Sequence, residues 1–199
     1  MKKIKISAII IIAIAGCYLI YNHFDKINKN TPVINKFGTE YNLVETPEQF
    51  KYSTIDEIIN ILSSGTGIVF FCTPDSEWCQ HYAYYLNKSI ENDIEINYLN
   101  IKDYRQVNSI KYQRLLELLD NYLIQDDSNN KKIYMPDLTF VNNGTIVAHN
   151  NDTSLVSSEI TIDEYWNNNK IKEFKEEMIN NVKKMKEELP TNIVSKAHR

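Results

Sequence analysis

The segment GIVFFCTPDSEWCQHY, residues 67–82, joins three local signals. Gly67 to Cys72 is a short apolar run of β-branched and aromatic side chains, which predicts a buried strand. Thr73 to Glu77 is polar, contains a proline and predicts a loop. From about Trp78 to Ile90 the apolar positions Trp78, Tyr82, Tyr85 and Leu86 keep helical spacing. Cys79 therefore falls at the start of a helix, just beyond a strand, with Ser76 three residues before it. A helix N-terminus favours a thiolate, because the macrodipole and the free N–H groups stabilise its charge. Serine caps such a helix well, but its hydroxyl forms no disulfide.

Outward from this segment, helices and strands alternate. Thr54 and Glu57 have the spacing of a capping box before the stripe Ile55, Ile58, Ile59 and Leu62, and Gly65 ends that helix. IEINYLNI (94–101) predicts a strand, and NSIKYQRLLELLDNYLI (108–124) a helix with Asn108 as N-cap. QDDSNNKK (125–132) reads as a loop. PDLTFVNNGTIVAHN (136–150) reads as a hairpin around Asn-Asn-Gly. Thr161 and Glu164 open one long helix, with Ile171, Phe174, Met178, Val182 and Met185 on its core-facing side. The alternation predicts an α/β fold: a central mixed sheet with helices on both faces and an antiparallel edge from the hairpin.

The chain of 199 residues suits one domain plus a leader. Lys2, Lys3 and Lys5 precede an apolar run from about Ile6 to Tyr21, near the lower length limit of a membrane-spanning helix. The charge asymmetry predicts an N-terminus inside and the bulk outside. Residues 1–22 then read either as an uncleaved signal anchor or, because IAGC ends at Cys17, as a lipoprotein signal with Cys17 lipidated. The expected organisation continues with a polar linker over 23–45, the domain over 46–189 and a tail over 190–199. The net charge of −4 and dispersed lysines give no case for nucleic acid. Cys72, Cys79, His81 and His149 match no zinc spacing, and no glycine-rich phosphate loop is present, so no cofactor is expected. Asp75 and Glu77 read as solvated loop carboxylates.

A strand, a short loop, a helix opening with Trp-Cys, and a later proline that begins a hairpin together resemble the thioredoxin-like family. The run GIVFFCTPDSEWCQHY with YMPDLTFVNNGTIVAH is similar to membrane-tethered or lipoprotein-like thioredoxin-like proteins of Gram-positive bacteria, which carry a Cys-Pro-Trp-Cys motif. The likeness covers roughly Ser53 to Met185. It implies a thioredoxin-like fold with Cys79 as the resolving thiol and Ser76 where the attacking cysteine stands. It implies a cis peptide bond before Pro136, and a peptide groove shaped by Trp78, Met135 and Pro136. The family's proline between the cysteines is Glu77 here, whose charge would raise the Cys79 thiol pKa.

Dithiol exchange needs one thiolate to attack a disulfide and a second thiol to resolve the mixed disulfide. With Ser76 at the first position, three states of the site stay open. Cys79 acts alone, or it pairs with Cys72 as a loop-holding disulfide or a displaced redox couple, or it is redox-inert beside a Cys72 that serves as a small buried hydrophobe. Two functions follow. One is a membrane-tethered extracytoplasmic protein whose thiol–disulfide exchange is weakened or altered. The other is a redox-inactive module holding extracytoplasmic proteins or peptides in the same groove.

Overall fold

The computed structural model describes residues 35–107, 109–126 and 128–187. The predicted leader, Cys17 and the tail beyond 190 lie outside the described residues. No helix among the described residues is long and apolar enough to cross a membrane.

Five strands form the main sheet: β1 (Phe50–Tyr52), β2 (Gly67–Phe71), β3 (Ile96–Leu99), and, after the short β4 (Ile124–Gln125) and β5 (Lys131–Lys132), β6 (Asp137–Asn142) and β7 (Thr145–Asn150). Their order across the sheet is β1-β3-β2-β6-β7, while β4 and β5 pair separately. β1 and β2 both run parallel to β3, and β6 is antiparallel to β2 and to β7. The molecule is therefore α/β with a mixed sheet, as the alternation of elements predicts.

The central strand β2 is apolar throughout because both of its faces are covered. Ile68, Phe70 and Cys72 enter one core layer, under the helices α3 (Glu77–Ser89) and α7 (Asn168–Lys186). Val69 and Phe71 enter the other, under α2 (Ile55–Ser64) and α5 (Ile110–Leu118). The stripe predicted on the C-terminal helix is the one that packs: Phe174, Met178 and Met185 are buried, with Ile171 and Val182 half-buried beside them.

Local chemistry fixes the boundaries. In the first capping box the Glu57 amide donates to Thr54 Oγ1 at 3.3 Å, and Glu57 Oε2 accepts from the Thr54 amide at 2.7 Å. The β6–β7 turn needs left-handed backbone at Asn143 (φ 47°) and Gly144 (φ 72°). A Cβ on Gly144 would also lie 2.4 Å from the Ser63 carbonyl oxygen, so only glycine fits.

Several expectations are corrected. Part of the stretch read as linker, 23–45, belongs to the core, because α1 (Lys36–Glu40) buries Phe37, and Tyr41 follows it. Phe37 stacks on Tyr41 and Phe50 with ring centroids 4.2 and 4.0 Å apart. β1 was not expected; three residues are too few for a period to show. A further short helix, α4 (Lys102–Val107), precedes α5, and α5 ends at Leu118 instead of running to 124. The 125–132 loop carries the β4–β5 ladder. The C-terminal helix is two: α6 (Ile162–Tyr165) stops at buried Trp166, and Asn167 caps α7 through its side-chain oxygen, 3.1 Å from the Asn169 and Lys170 amides.

Candidate functional site

β2 delivers Cys72 to the carboxyl end of the sheet, and α3 starts five residues later. Ser76 is the N-cap of α3, its Oγ accepting from the Cys79 amide at 3.3 Å. Cys79 and Cys72 are joined in a disulfide with Cα atoms 5.7 Å apart, and neither residue has exposed surface. The Thr73 amide also points at Cys79 Sγ, 3.3 Å away. Of the three states left open by the sequence, the paired one is present. Bonded sulfur does not titrate, so the expected effect of Glu77 on a Cys79 thiol has no group to act on.

The loop between the cysteines is held from several sides. Thr73 Oγ1 donates to the Asp75 carboxylate, and Lys102 at the start of α4 pairs with the same carboxylate. The Lys102 bond, and then the Thr73 bond, hold the Asp75 carboxyl below the usual range. The Gln80 amide nitrogen donates to the carbonyls of Pro74 and Glu40, each at 2.7 Å, tying the loop to the end of α1. The residue after Cys79 therefore clamps the site to α1, a role that sequence reasoning did not assign.

Across the ladder, Phe71 (before Cys72) pairs with Asp137 (after Pro136). The Met135–Pro136 peptide is cis, as expected. Pro136 is buried, and half-buried Met135 touches both core layers. Thr73, Ser76, Tyr134 and Met135 form one end of an open cleft of about 1050 Å³ that continues between α4, α5 and the β4–β5 ladder. Trp78 is not part of it. Its ring meets Tyr165 edge-on at 5.5 Å and borders a smaller hollow with Glu77, His81 and Ile160. Met135 and Ser76 thus share a cleft, Pro136 packs in the core, and Trp78 faces elsewhere.

Asp137 and His149 form a buried pair that sequence reasoning missed. His149 Nε2 lies 3.0 Å from Asp137 Oδ2, with 8 % and 1 % of the two side chains exposed. Burial pushes the Asp137 carboxyl up, and His149 and Thr139 pull it partly back. An acid opening an otherwise apolar strand, as in PDLTF, was the signal available for it. The His149 ring also packs against Tyr122, with centroids 5.1 Å apart. His149 and the two cysteines are therefore engaged with other partners. No group of three or more His, Cys, Asp or Glu among the described residues is placed to hold a metal ion. Compared with known proteins, the chain matches no family model, no curated protein and no solved structure.

Proposed function

We propose that this chain is a thioredoxin-like module, tethered to the membrane on the extracytoplasmic side, that binds extended peptide segments without exchanging disulfides. The sheet order, the cysteine at the opening of α3 and the proline that leads into β6 support the thioredoxin-like reading. The basic start and apolar run of residues 1–22 support the tether, with either an intact anchor or a lipidated Cys17. A disulfide in a small domain suits an oxidising compartment.

One observation carries the choice of binding over exchange. Both sulfurs are bonded to each other and wholly buried, while the cleft is lined by half-buried Ser76 in place of a nucleophilic thiol. An attacking thiolate needs access to a sulfur atom, and here it meets a hydroxyl that caps a helix. A peptide lying along Met135 would gain backbone hydrogen bonds and side-chain contacts that need no sulfur chemistry.

The test measures disulfide reduction by the full chain, by Cys79→Ala and by Ser76→Cys, together with binding of an unfolded, cysteine-free polypeptide. The expected result is an inert parent that binds the polypeptide with shifted amide resonances at Thr73, Ser76 and Met135. Reduction by the parent that disappears in Cys79→Ala would instead make Cys72 and Cys79 a working redox pair.

A further inference from the structure

The cleft beside Ser76 and Met135 is lined by four cations: Lys102, Arg105, Lys131 and Lys132. Three of them are matched by carboxylates. Lys102 pairs with Asp75, Lys131 with Asp120 at 2.6 Å, and Lys132 with Asp126. Glu117, which also lines the cleft, is taken by Arg114 at 2.9 Å. Arg105 differs. Its Nη2 donates to the Ile133 carbonyl oxygen, and no carboxylate among the described residues pairs with it. That bond ties the guanidinium to the segment after β5, and no second hydrogen-bond acceptor for it is present among the described residues. A guanidinium presents five donors in a planar fork that matches a carboxylate.

From this geometry we infer that Arg105 is the anchor for an acidic side chain of the peptide held in the cleft. The inference rests on the peptide-binding reading and specifies the ligand: an extended segment with an Asp or Glu, flanked by apolar or aromatic residues. Tyr112, Leu116, Tyr134 and Met135 supply the apolar wall for those flanks. A cleft of about 1050 Å³ exceeds the needs of a lone carboxylic acid, which favours a peptide as the bearer of the charge. The half-buried position of Arg105 reduces solvent screening of the contact.

The experiment exposes the full chain to an array of randomised octapeptides without cysteine, anchored through their C-termini so that the only carboxylates are side chains. The expected result is enrichment of Asp or Glu at one position in the parent. That enrichment disappears in Arg105→Gln and persists in Lys111→Gln, whose parent lysine pairs with Asp56 outside the cleft. Replacing the enriched Glu by Gln in the best peptide weakens binding to the parent about tenfold or more, and this comparison decides the matter even if Arg105→Gln fails to fold. Bound peptides without acidic preference would overturn the carboxylate anchor and leave the peptide cleft standing. Acidic preference that survives Arg105→Gln would overturn the role of Arg105. An array that binds nothing would overturn both readings.

Discussion

Cys72 just after β2 and Cys79 in the first turn of α3 are disulfide-bonded across a sequence separation of seven, and both are fully buried. The bond closes the loop that carries Asp75 and Ser76, and that loop forms one wall of the cleft. Closing so short a loop removes a limited amount of chain entropy from the unfolded state, worth about 2.5 kcal/mol. Reduction, or the double change Cys72→Ala with Cys79→Ala, is expected to lower stability by about that amount. Urea unfolding with and without reductant checks it. Equal midpoints in the two conditions would show that the pairing contributes nothing.

Ser76 keeps the geometry of a helix cap at the position where the resemblance expects a nucleophile. Its Oγ accepts from the Cys79 amide at 3.3 Å. Ser76→Ala should cost about 1 kcal/mol, and Ser76→Asp should restore most of it, because an aspartate caps as well and suits the positive end of the helix. Thermal melts of the two variants are the measurement. A neutral Ser76→Ala would mean that the serine is not retained as a cap.

Much of this architecture was legible because each signal was local. The capping boxes at Thr54 and Thr161, the apolar run of β2 and the Asn-Asn-Gly hairpin all depend on neighbours within four residues. What was not legible depends on distant partners. Phe37 and Tyr41 sit in a polar stretch without period, and only their stacking with Phe50 and Tyr98 makes them core. β1 exists because β3 offers it an edge. At the site, the positions of Cys79, Ser76 and Met135 followed from the motif. The pairing of Cys79 with Cys72 was one of three open states, while the partners of Gln80 and the buried Asp137–His149 pair across β6 and β7 arise only once the strands are assembled. Trp78 was placed in the groove by resemblance, whereas Tyr165 of α6 holds it on another side.

Phe37 tests the corrected boundary. Its ring is wholly buried between Tyr41 and Phe50. Phe37→Ala should destabilise the domain by about 3–5 kcal/mol, through lost transfer energy and the cavity left behind. Removing residues 1–45 should be still more damaging, since Tyr41 and Val44 leave with it. If denaturant midpoints of Phe37→Ala matched the parent, the stretch before residue 46 would be a linker after all.

The buried Asp137 carboxyl is expected to make stability depend on pH. Burial raises the Asp137 carboxyl above its unfolded value of about 3.9. Between that value and the raised one, the native state holds a proton that the unfolded chain has released. The contribution to stability is therefore complete below about pH 4 and is lost as pH rises through the raised value, at up to about 1.4 kcal/mol per pH unit. The carboxylates of exposed Asp75 and half-buried Asp126 are held low and act in the opposite sense, losing their contribution as pH falls. Subtracting the Asp137→Asn stability profile from that of the parent removes the contribution of Asp75 and Asp126, which are common to both. The difference should decline with rising pH and then level off. His149→Ala removes a partner that pulls the Asp137 carboxyl down, so the decline should extend to higher pH in that variant. Urea midpoints across the pH range provide the measurement, and a flat difference profile would mean that Asp137 keeps an ordinary carboxyl in the folded protein.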